Sequence, residues 1–159
     1  MATLNERTRS DHPHSTAKIG GHPIHPMLIP FPIVCFIGTL VTDIMFLQTD
    51  SHGWATASRI LLLVGLIMAA LAAVAGLTDF MGDDRIRRSS DALKHMLANV
   101  TAVVLEIVNL VLRLHNDDAI RSPGIYLSAI VVLILVYSGW KGGDLVFKHG
   151  IGVRDEHGR

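Results

Sequence analysis

Residues 60–77 read ILLLVGLIMAALAAVAGL, a run with no polar side chain. A helix that is apolar all round has no face to offer water. Three further apolar runs accompany it, at about 27–47, 96–114 and 125–147. About 20 residues at about 1.5 Å each make a helix of about 30 Å, the thickness of a bilayer's hydrocarbon core. A soluble four-helix bundle needs a polar face on every helix, and the second and fourth runs lack one. The expected fold is all-α: an integral membrane four-helix bundle, with helices at about 27–47, 60–80, 95–114 and 125–147. Composition agrees. Charged residues make up 18% of the chain and the mean hydropathy is +0.42, whereas soluble domains carry about 25% charge.

The first 19 residues are polar and have no apolar centre, so they are not a secretory signal. They are expected to form a disordered tail ahead of a membrane domain at 20–153, with a second polar tail at 154–159. The intervening loops are short, which makes an up-down-up-down arrangement the simplest. The N-terminus, the middle loop and the C-terminus then share one side. Of the 14 Lys and Arg residues, all but Arg59, Arg113 and Arg121 fall there. The positive-inside rule accordingly predicts a multi-pass protein of the cytoplasmic (inner) membrane with both termini cytoplasmic. A net charge of zero gives no basis for nucleic-acid binding. A single cysteine, Cys35, excludes a disulfide framework and a Cys-based zinc site. Small residues recur four apart at Gly65, Ala69 and Ala73, and at Ala72 and Gly76. Such spacing lets another helix approach closely, and packing within the chain is the favoured reading over a homo-oligomer contact.

The third helix carries a polar stripe. His95, Asn99, Ala102, Glu106, Asn109 and Arg113 alternate spacings of four and three, which places them on one face. That face must turn inward, because an ionised side chain at the bilayer centre costs at least about 2.5–3.5 kcal/mol. Glu106, near mid-membrane, is therefore protonated or paired. It reads either as a clamp that fixes helix packing or as a proton or ion relay. Arg113 and Asp43 reach similar depth and are expected to pair.

The histidines gather at the opposite end. His22 and His25 stand in GGHPIHPMLIPFP (residues 20–32), His95 opens the third helix and His149 follows the fourth. Asp79 and Asp144 lie on the same side. Proline is tolerated at helix starts and biases the residue before it toward extended geometry. The prolines are thus expected to delay the helix until about Pro26 and to hold His22 and His25 on a stiff extended segment over the bundle mouth. Histidine is the commonest metal ligand and also ligates haem iron. His22, His25, His95 and His149 are the candidate ligands, with Asp79, Asn99 and Asp144 as the groups that orient them. The plain alternative is a set of interfacial histidines that satisfy helix ends.

GHPIHPMLIPFPI, the GLTD at 76–79, His95-x-x-x-Asn99 and the closing GWKGGDLVFKHGIGV resemble a family of small bacterial membrane proteins known as domain-of-unknown-function family 2231. The resemblance runs from about Gly20 to Val153. It implies four transmembrane helices and no established activity. It also implies a tilt toward electron transfer, since related domains are fused to redox modules. Glu106 is not a motif position. Because the chain ends at Arg159, the expected electron partner is a separate redox protein or a quinone, with membrane lipid around the helices. The leading reading is a membrane subunit that binds haem b or a transition-metal ion. No CxxCH is present for covalent haem. The rival is an ion- or proton-conducting bundle, working as a homo-oligomer, and a third reading is a structural assembly partner with no cofactor. No hydrolase triad, phosphate loop or HExxH motif occurs, so the reading leans away from an enzyme.

Overall fold

The computed structural model describes residues 16–148, Gly150 and Ile151. The remainder of the two expected tails, residues 1–15 and 154–159, lies outside them. The described chain begins with a two-residue strand β1 (Lys18–Ile19) paired antiparallel with β2 (His22–Pro23). Gly20 and Gly21 make the turn with φ of 57° and 83°, which a two-residue hairpin loop requires and glycine supplies without strain. Six α-helices follow: α1 (Ile24–Leu28), α2 (Pro30–Thr49), α3 (His52–Gly82), α4 (Asp84–Arg87), α5 (Ser90–Arg113) and α6 (Gly124–Phe147). A 3-10 turn at Asp117–Ile120 joins the last two.

Among the described residues, four stretches are long and apolar enough to cross a membrane: Ile24–Thr49, His52–Gly82, Ser90–Arg113 and Gly124–Phe147. The fold is the all-α bundle that the hydropathy predicts. Its helices extend beyond the apolar runs. α3 starts at His52, well before the expected residue 60, and has 31 residues. Hydropathy marks the stretch that suits lipid, whereas helical hydrogen bonding continues through the polar Ser58 and Arg59 to a start outside it. α5 begins at Ser90, capped by the Ser89 hydroxyl, which accepts from the Ala92 N–H, a preferred residue for that task.

The opening prolines act differently from the expectation. The helix starts at Ile24, not at Pro26, with Pro23 as its N-terminal cap. Pro26 fits inside the first turn because a first-turn N–H has no partner within the helix. Pro30 and Pro32 withhold the N–H groups that would have bonded back to Pro26 and Leu28. α1 and α2 are consequently distinct helices along one line. The interruption is bridged by Ile29 N–H to His25 C=O (3.2 Å) and Ile33 N–H to Ile29 C=O (3.4 Å).

α2 packs mainly on α3 and α5 mainly on α6, so two helical hairpins face one another. The interior is unlike that of a soluble protein. Its buried positions include Ser58, Ser128, Thr39, Asp43, Glu106, Asn109 and Arg113, while Val34, Val74, Leu133 and Val136 point outward at 67–70% exposure. Large apolar groups facing out and small or polar groups facing in is the arrangement that lipid favours. The central packing layer takes one residue from each main helix: Phe36, Ala69, Ala102 and Val131. The small residues of α3 serve this internal packing. A Cβ on Gly65 would lie 2.7 Å from the Phe36 ring, and Ala69 and Ala72 are buried, while Ala73 is exposed.

Candidate functional site

His25 and His95 come together across the two hairpins. Their ring centres lie 6.3 Å apart with the planes at 89°. His25 sits in the first turn of α1, half-buried, and its Nδ1 is 2.7 Å from the Ala72 carbonyl of α3. His95 sits in the second turn of α5, and its Nδ1 is 2.9 Å from the Ser138 carbonyl of α6. A carbonyl can only accept, so each ring carries a proton on Nδ1, and in the neutral tautomer this selects, Nε2 has the lone pair. Both acceptors belong to residues on a neighbouring helix, so each imidazole ties its own helix to the next.

Two glycines make room for the rings. A Cβ on Gly76 would fall 2.8 Å from His25 Cε1 and 2.9 Å from its Nδ1. A Cβ on Gly142 would fall 3.2 Å from His95 Cε1. Asn99, one turn beyond His95, donates from Nδ2 to the His95 carbonyl (2.8 Å) and to the Ser138 hydroxyl (2.7 Å). The same nitrogen lies 3.1 Å from His95 Nε2. Two amide hydrogens thus face three acceptors, and the Nε2 lone pair is at most shared. Among the described residues, Nε2 of His25 accepts no hydrogen bond.

Of the other proposed ligands, the described residues include only His22, and it is not brought in. His22 lies in β2 and is exposed, so the four prolines do not hold it beside His95. His149 lies outside the described residues. Asp79 and Asp144 do not orient the imidazoles of His25 and His95. Asp79 Oδ1 accepts from the Thr16 and Ala17 backbone N–H groups at 2.7 and 2.8 Å, and Thr16 also donates its hydroxyl to the Thr78 carbonyl (3.0 Å). A Cβ on Gly82 would overlap the Thr16 side chain. Thr16 and Ala17, within the expected tail, are fastened to the end of α3, and Lys18 and Ile19 follow as β1, paired with β2. Asp144 pairs with Lys141 (3.1 Å) and Lys148 (2.7 Å), and Lys141 reaches Asp91 of α5 at 3.0 Å. Among the described residues, no group of three or more His, Cys, Asp or Glu side chains is placed to hold a metal ion.

A second polar cluster fills the other half of the bundle. Asp43, Ser58, Glu106, Asn109, Arg113 and Ser128 are all fully buried. Arg113 grips Asp43 in a fork, Nη1 to Oδ1 at 2.8 Å and Nη2 to Oδ2 at 3.2 Å. It also donates to Ser58 Oγ (2.6 Å) and Asn109 Oδ1 (2.6 Å). Ser58 and Ser128 donate back to the two Asp43 oxygens at 2.5 and 2.7 Å. Asn109 Nδ2 donates to Glu106 Oε2 at 2.8 Å. The apolar layer separates this cluster from the histidines: Ala102 lies between Asn99 and Glu106 on α5, and Val131 between Ser128 and Ser138 on α6.

Sequence reasoning missed the serines, Gly142 and the carbonyl acceptors. Ser128 is a single polar position in apolar surroundings, a signal that was available, whereas Ser58 stands beside Arg59 and Ser138 near Lys141. The carbonyls of Ala72 and Ser138 leave no trace in residue type.

The family model for "Predicted membrane protein (DUF2231)" matches residues 21–155. No curated protein matches the chain, and no solved structure does.

Proposed function

Since the chain belongs to the DUF2231 family of predicted membrane proteins, we propose that it is a membrane subunit binding a redox-active haem b between His25 and His95. The observation that carries this is the pair of imidazoles from opposite hairpins, 6.3 Å apart, each with Nδ1 tied to a backbone carbonyl. Metal-binding histidines characteristically donate the other ring N–H to such an acceptor, which fixes tautomer and orientation. An ion bound by two imidazole nitrogens at about 2.0–2.1 Å keeps the ring centres roughly 5–6.5 Å apart. The observed separation is within that range. Two protein ligands suit a haem, whose porphyrin supplies the remaining four, better than a bare ion. A bound haem supplies one-electron chemistry. His25 and His95 would hold it, and the Ala72 and Ser138 carbonyls would orient the two imidazoles.

The proposed orientation puts the histidine face toward the cytoplasm, on the side with most of the Lys and Arg residues. The electron partner is then a separate redox protein or a quinone. Against the rival reading, a conducting bundle, stands the layer of Phe36, Ala69, Ala102 and Val131, which interrupts the polar interior.

The test is to purify the protein in mild detergent after expression with haem supplied, then to record its visible spectrum and metal content. A reducible Soret band that is lost in His95→Ala and retained in His52→Ala supports the proposal. Stoichiometric transition metal without a Soret band replaces haem with an ion at the same histidines. The absence of both signals overturns the cofactor reading.

A further inference from the structure

We propose that Glu106 is a proton-binding site inside the membrane, carrying its proton on Oε1. The inference rests on a charge count and on one orphaned atom, and it is independent of the histidine site. Among the described residues, the charged groups acting on Glu106 are Arg113 on the same helix and Asp43 from α2, while α3 and α6 bring the neutral Ser58 and Ser128 to that pair. Arg113 and Asp43 neutralise each other through their fork. An ionised Glu106 would then leave one negative charge uncompensated at 0% exposure, which a low-dielectric interior strongly disfavours.

The cluster accordingly takes up one positive charge, and its geometry selects a proton over a metal cation. Glu106 Oε2 accepts from Asn109, as a carbonyl oxygen does, while Oε1 has no partner among the described residues. That leaves Oε1 to carry the hydrogen. A hard cation gathers about six oxygen ligands. Here the Asp43 oxygens and both serine hydroxyls are already engaged with Arg113 and with one another. The site lies on the side of the apolar layer away from the histidines, so its proton exchanges with the opposite membrane face.

The sequence offers a clean measurement, because Glu106 shares the chain with only two other glutamates, Glu6 and Glu156, both in polar terminal segments. Protein labelled with carbon-13 at the glutamate carboxyl is examined by infrared spectroscopy at neutral pH in sodium-free buffer. The expected result is an isotope-shifted carboxylic-acid carbonyl band in the unaltered chain that moves in heavy water and is missing from Glu106→Gln. Only ionised carboxylate bands from the label would overturn the proposal, and this needs no variant to fold. An acid band that persists in Glu106→Gln would also overturn it. So would an acid band that disappears as sodium is raised at fixed pH, since the positive charge would then be a metal cation.

Discussion

Arg113 and Asp43 meet through two parallel contacts of 2.8 and 3.2 Å, and neither side chain has any exposed surface. A Cβ on Gly124 would lie 2.7 Å from Arg113 Nη2, so the first residue of α6 is small where the guanidinium passes. The pair ties α2 to α5, and Ser58 and Ser128 extend it to α3 and α6. All four main helices thus converge on one ion pair.

Removing one partner leaves a buried charge with no counter-ion, which costs about 3–5 kcal/mol. Asp43→Asn and Arg113→Met should each lower stability on that scale. The double substitution should be more stable than the worse single one. Detergent unfolding of the four proteins checks this, and a double variant that is no better than either single one would show that the two side chains do not depend on each other.

Gly76→Ala should displace the His25 ring, because the added Cβ falls 2.8 Å from it. Overpacking of this kind costs about 1–3 kcal/mol. It should also abolish the absorbance of any bound cofactor while leaving the Arg113 cluster intact. Gly142→Ala, with a looser 3.2 Å contact to His95, should be milder in both respects. Equal effects from the two variants would argue against the placement of His25.

Gly65→Ala should lower the thermal midpoint by driving a Cβ into the Phe36 ring, 2.7 Å away. Phe36→Leu in the same chain should recover part of the loss by withdrawing the ring. If the combination is simply additive, the two residues are not in contact.

The orientation can be read with a reporter fused after Arg159. With most basic residues on the side of the termini, a cytoplasmic reporter should be active and a periplasmic one silent. The reverse pattern would move the histidine face to the outside of the membrane.

Residue type and spacing alone determined the membrane bundle, because lipid tolerates only helices and closed barrels and the four apolar runs have the length of spanning helices, not of barrel strands. The inward stripe of α5 was equally legible. Its spacing fixes a face whatever surrounds it, and the positions His95, Asn99, Glu106, Asn109 and Arg113 follow from helix geometry. The depth of Asp43 and Arg113 already suggested a pair.

Only the tertiary structure decided which histidine joins His95. His22 and His25 are three residues apart and look equivalent in the sequence, yet a turn of two glycines puts the first on an exposed strand, while Pro23 starts a helix that carries the second inward. The orienting groups were beyond sequence reasoning for a different reason. Asp79 and Asp144 have the right chemistry, but Asp79 is taken by the Thr16 and Ala17 N–H groups and Asp144 by two lysines. The rings are held instead by the carbonyls of Ala72 and Ser138. A backbone carbonyl belongs to every residue, so nothing in the sequence marks the two that helix packing leaves beside an imidazole.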